Sequence, residues 1–151
     1  MAVAAAAVAL GLWIVPPELG VEVINEDGES VARFHGVRSF VLRHTHSVMK
    51  TPVEDYYEVA SRTHLVQTQT RYRSLGAGLP SSGIGEFRRE DGWFVRDSIG
   101  GRLERITVRV GRVSKQVLMI DGKEIPLRDL DTAGKALTIR PAIILFSMLW
   151  V

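Results

Sequence analysis

The dipeptide Asp-Gly stands three times between short runs that mix apolar and polar residues in near alternation, and few folds other than antiparallel sheet accommodate that arrangement. Val21-Glu22-Val23-Ile24 and Val31-Ala32-Arg33-Phe34 flank Glu26-Asp27-Gly28; Phe87-Arg88-Arg89 and Trp93-Phe94-Val95 flank Glu90-Asp91-Gly92. Val117-Leu118-Met119-Ile120 and Lys123-Glu124-Ile125 flank Asp121-Gly122, the strongest hairpin signal of the three. Asp-Gly suits a type I′ turn, in which both central residues need positive φ. Ile106, Val108 and Val110 alternate with Arg105, Thr107 and Arg109, and Leu137 and Ile139 with Thr138 and Arg140, as strands with one wet face do. No long amphipathic helix and no internal repeat interrupts this pattern. About ten short strands over about 120 residues predict an all-β domain, either an antiparallel β-sandwich or a partly closed barrel.

The two ends differ from this middle. All 19 basic and all 17 acidic residues lie between Glu18 and Arg140 of the 151-residue chain. Residues 1–15 hold 14 apolar residues and stop at Pro16-Pro17. Ala and Leu favour helix, Trp13 suits a membrane interface and Pro-Pro ends the segment. A 15-residue helix is roughly 22 Å long, short of a ~30 Å hydrocarbon core, and no Lys or Arg precedes it as in an ordinary export signal. The expected division is an N-terminal hydrophobic helix over 1–17 acting as signal-anchor or signal peptide, a β domain over 18–140 and an apolar tail over 141–151. That tail, PAIILFSMLWV, reads first as a membrane-associated segment, then as a last core strand or a partner-docking tail.

Charge and cysteine content narrow the chemistry. The chain has no cysteine, which excludes disulfides, zinc-thiolate sites, iron–sulfur clusters and thiol nucleophiles. A net charge of +2 gives no reason to expect nucleic acid. The basic residues are 15 Arg and 4 Lys, and nine Arg face five acids between Arg71 and Arg112. Planar guanidinium forks there suit an anion-binding face, or else a solvated strand face that resists edge-to-edge pairing.

Residues 38–80 carry most of the chemistry. Arg38 to His46 reads as a strand with Phe40, Leu42, His44 and His46 on one face, and Asp55, Tyr57 and Val59 share a face of the next. Arg71-Tyr72-Arg73-Ser74 leads into Gly76-Ala77-Gly78-Leu79-Pro80, where glycines permit positive φ and close backbone approach. His46, Ser47 and Asp55 have the residue types of a base, nucleophile and orienter, although adjacent residues on a strand diverge. His44 and His46 at i, i+2 offer a metal pair completed by Asp55 or Glu58. The plainer alternatives are a hydrogen-bonded, partly buried His46 that pins the glycine loop, or a carboxylate pocket built from that loop, Arg73 and His46. His35 and His64 stand alone and read as surface residues.

The run His46-Ser47-Val48, Thr51-Pro52-Val53, Asp55, Tyr57, Tyr72, Ser74 and Gly76-Ala77-Gly78-Leu79-Pro80 resembles the domain-of-unknown-function 1850 family. His44 and Asp55 depart from the family pattern, which has Tyr and Glu at these positions. Genes of that family often lie beside fused permeases of TRAP-type transporters. The resemblance implies an anchored or exported accessory domain, on the exoplasmic side of the cell membrane, working with such a permease or its substrate-binding protein. The expected ligand contacts are His46, Ser47, Asp55, Arg73, Ser74, Gly76 and Gly78, with a small carboxylate as the possible ligand and no cofactor or metal. The alternative is a hydrolytic or metal-dependent enzyme centred on His46.

Overall fold

The computed structural model describes residues 18–74, 85–97 and 99–144. Among them are twelve strands: β1 (Glu18–Ile24), β2 (Ser30–His35), β3 (Ser39–Thr45), β4 (Pro52–Val59), β5 (Leu65–Tyr72), β6 (Phe87–Glu90), β7 (Trp93–Asp97), β8 (Arg102–Leu103), β9 (Ile106–Arg109), β10 (Val117–Ile120), β11 (Lys123–Pro126) and β12 (Ala136–Ile144). A single 3-10 turn, Leu127–Asp129, is the one helical element of the described residues. The expected N-terminal helix, the segment 145–151 and Gly76 to Pro80 lie outside the described residues. Among the described residues no helix is long and apolar enough to cross a membrane.

The strands form two antiparallel sheets, one in the order β2-β1-β12-β9, the other β11-β10-β3-β4-β5-β7-β6 with β8 against β5. Among the described residues neither sheet closes on itself, so the barrel alternative falls away. The Asp-Gly turns behave as their chemistry requires. Asp121 and Gly122 have φ of +52° and +69°, and Asp91 and Gly92 have +48° and +78°, so both hairpins are tight two-residue turns. The first hairpin needs a longer loop, over which Asn25 Oδ1 accepts the backbone N–H groups of Asp27 and Glu29.

The core is shared between the sheets. Val21 and Val23 of β1 and Leu137 and Ile139 of β12 meet Phe40, Leu42, Tyr57, Val59, Leu65, Leu118 and Ile120. Each aliphatic side chain so buried contributes about 1.5–3 kcal/mol. Phe40 and Tyr57, opposed across β3 and β4, stack with ring centroids 5.3 Å apart. The first sheet is assembled from the flanks of the described chain. β1 pairs with β12 from Glu18↔Ile144 to Ile24↔Thr138. On its other face Glu22, only 7% exposed, accepts hydrogen bonds from Arg33 Nε at 3.0 Å and Arg140 Nη2 at 2.8 Å.

β12 runs past residue 140. It continues through Pro141 to Ile144, so the first residues of the apolar tail are strand. Proline is tolerated there because β9 pairs with β12 only as far as Ile139, leaving that side of Pro141 without a ladder to break.

Candidate functional site

β3 ends at Thr45, and His46 belongs to the turn that follows rather than to the strand. The turn consumes its polar groups. Its N–H donates to the Thr51 carbonyl at 2.8 Å and its carbonyl accepts the Lys50 N–H at 3.0 Å. Nδ1 accepts the N–H groups of Val48 at 3.3 Å and Met49 at 3.2 Å, which places the proton of the neutral ring on Nε2. Ser47 is exposed and its hydroxyl makes no hydrogen bond among the described residues. The hydroxyls of Thr51 and Ser74 lie 2.7 Å apart, tying the turn to the end of β5.

Asp55 is answered by neighbours other than His46. The ladder sets Leu42 opposite Asp55 and Asp55 opposite Thr70. Oδ1 accepts hydrogen bonds from Thr70 Oγ1 at 2.7 Å and Gln67 Nε2 at 2.9 Å. Burial pushes the Asp55 carboxyl above its ordinary range, against the pull of Thr70, His44 and Gln67. Burial also lowers His44, with Asp55 acting against it and His46 adding to it. The half-buried acid–imidazole pair is therefore Asp55 and His44, on the same sheet face as Phe40 and Leu42. Glu58, the alternative to Asp55 as third metal ligand by sequence, falls on the opposite face of β4 and is exposed. Among the described residues no three His, Asp or Glu side chains gather as a metal site.

Arg73 lies on the other face of this sheet. Its guanidinium carbon is 4.8 Å from the centre of the Trp93 ring, and that of Arg71 is 4.6 Å from the same ring. Arg71 also contacts the Tyr56 ring at 5.4 Å and bonds the Glu54 carboxylate at 2.6 Å. The Tyr56 hydroxyl donates to Glu54 at 3.0 Å, and burial together with that carboxylate pushes the phenol up to about 12. Arg73 is exposed and forms no ion pair among the described residues. Alternation along β4 and β5 puts Arg73, beside Trp93, on the face opposite Asp55, while His46 lies in a turn outside that alternation. Gly76 and Gly78 lie outside the described residues.

A family model for a domain of unknown function, DUF1850, matches residues 40–127, more than half of the chain. The chain belongs to the DUF1850 family. No curated protein and no solved structure matches it. The DUF1850 stretch runs from β3 through β11 and so contains the whole second sheet apart from Ser39, together with β9. β1, β2 and β12, which complete the core with Val21, Val23, Leu137 and Ile139, come from outside the matched stretch.

Trp93 and Glu54 have no place among the residues singled out by sequence. Their role depends on β4, β5 and β7 lying side by side, and the one available signal was Arg71 and Arg73 at i, i+2 beside an alternating Trp93-Phe94-Val95 run.

Proposed function

We propose that this DUF1850 protein is a non-enzymatic accessory domain, anchored on the exoplasmic side of the cell membrane. In this reading it assists a TRAP-type uptake system by engaging the permease, its substrate-binding protein or a small carboxylate. The pairing of Glu18 with Ile144 carries the reading. The two charge-free stretches of the sequence enter the described domain at adjacent strand ends, so one apolar environment serves both. The binding contact in this reading is Arg73, held against Trp93 and in no ion pair among the described residues, as charge-assisted carboxylate recognition requires.

The test is membrane fractionation and co-purification in cells expressing the full chain. The protein sediments with membranes, a deletion of residues 1–16 releases it, and protease added to intact spheroplasts digests it. Arg73→Ala keeps the fold and loses association with a co-expressed TRAP-type permease, along with uptake. Full association and uptake by folded Arg73→Ala would overturn the binding role. Turnover of any substrate that disappears in His46→Ala would favour the enzyme alternative.

A further inference from the structure

We infer that an open cleft against the first sheet is a binding site for a small oxyanion, carboxylate or phosphate. The cleft has a volume of about 680 Å³ and is lined by Arg62 and His64 from the β4–β5 turn, Glu104 and Arg105 ahead of β9, Arg140 of β12 and Glu22 of β1. It lies apart from Arg73, and the inference does not rest on the accessory reading.

The cations converge from three elements. Ile106 pairs with Ile139 as the last pair of its ladder, and Arg105 and Arg140, the next residue on each chain, both line the cleft. Arg140 is oriented by Glu22, whose Oε2 accepts from Nε at 3.1 Å and Nη2 at 2.8 Å, while Oε1 is taken by Arg33. Glu22 is thereby saturated and leaves nothing for the other arginines. Arg62 and Arg105 are exposed and form no ion pair among the described residues. Three arginines of the lining face two glutamates, and the cleft keeps an excess of positive charge. His64 lines the cleft beside them, its Nδ1 2.8 Å from Thr63 Oγ1 and 3.3 Å from Ser61 Oγ.

Neighbouring guanidiniums without an acid repel each other, and an oxyanion between them gains charge-assisted hydrogen bonds from both. The volume falls in the range of small-ligand clefts and exceeds what a single phosphate fills, so a dicarboxylate or a phosphate ester fits as well. Glu104 is the remaining acid, and it sets an upper limit on how tightly an anion is held.

Titration calorimetry of the detergent-solubilised full chain with inorganic phosphate and with succinate tests the site at fixed ionic strength. The expected result is saturable binding of at least one, the tighter of the two identifying the anion class. The Arg62→Ala/Arg105→Ala double variant weakens it at least tenfold with an unchanged circular dichroism spectrum. Glu104→Gln tightens it, and Arg128→Ala, which removes an exposed arginine elsewhere, leaves it unaltered. No saturable binding of either anion, undiminished binding by the folded double variant, or an equal loss in Arg128→Ala would overturn the inference.

Discussion

Glu54 and Arg71 face each other across β4 and β5, and the carboxylate beneath the guanidinium is only 5% exposed. A charge this buried is stable only while its partners remain, because removing one leaves the other without either water or a counter-ion. Arg71→Ala should therefore destabilise by about 2–3 kcal/mol, below the full range for buried pairs because Arg71 itself keeps a third of its surface in water. Glu54→Gln, which removes the charge and keeps an acceptor, should cost about 1 kcal/mol. Denaturant unfolding of both variants measures the difference, and an Arg71→Ala no worse than Glu54→Gln would reduce the pair to a surface contact.

The His44–Asp55 pair predicts two opposed pH dependences. His44 is lowered from 6.5 by burial, so its contribution to stability is present above 6.5 and is lost as pH falls through its folded value. Asp55 is raised from 3.8, so its contribution is present below 3.8 and is lost as pH rises through its folded value. His44→Gln should flatten the loss of stability on acidification below 6.5. Asp55→Asn, which keeps the Thr70 and Gln67 contacts, should gain on the wild type as pH rises from 3.8. Melting temperatures across this interval read both slopes, and a His44→Gln curve parallel to wild type would remove His44 from the account.

Gly20 predicts a steric limit. A Cβ at this position would run into the carbonyl oxygen of Phe34 on the neighbouring strand, and backbone cannot step aside as a side chain does. Gly20→Ala should destabilise by about 1–3 kcal/mol through displacement of β2 from β1. Thermal unfolding checks it, and an unchanged melting temperature would mean that the two strands separate freely.

His46 should behave as a turn residue. His46→Ala loses the acceptor for the Val48 and Met49 N–H groups and should cost about 1 kcal/mol. His46→Asn, whose short side chain accepts backbone N–H groups within turns, should recover part of that. Equal destabilisation by both, measured by denaturant unfolding, would show that the imidazole matters through something other than capping.

Local features of the fold were legible in the sequence, and those that depend on long-range register were not. Asp91-Gly92 and Asp121-Gly122 announce their hairpins because a two-residue turn is encoded by the two residues themselves. Alternation along β4 likewise placed Asp55 with Tyr57 and Val59. Nothing local says that β12 lies beside β1, since Glu22 and Arg140 are 118 residues apart. The same limit applies to the candidate site: Arg73 and Asp55 were each visible, but only the neighbouring strands show that Arg73 goes with Trp93 and Asp55 with His44. The strand over Pro141 to Ile144 was one of the readings of the apolar tail, ranked behind a membrane segment because the run has no polar alternation.

Because β1 and β2 await β9 and β12, the order in which the chain leaves the ribosome governs when the domain closes. The second sheet has all its strands by residue 126, but β1 keeps one edge bare until Ala136 to Ile144 has been synthesised. Contacts of such sequence separation form slowly, and during the wait an open strand edge beside Val21 and Val23 is a template for pairing with other chains. A chain stalled before Ala136 would present that edge permanently, so quality control or a chaperone acting on this protein meets an aggregation-prone edge at β1, the first of the described strands to emerge.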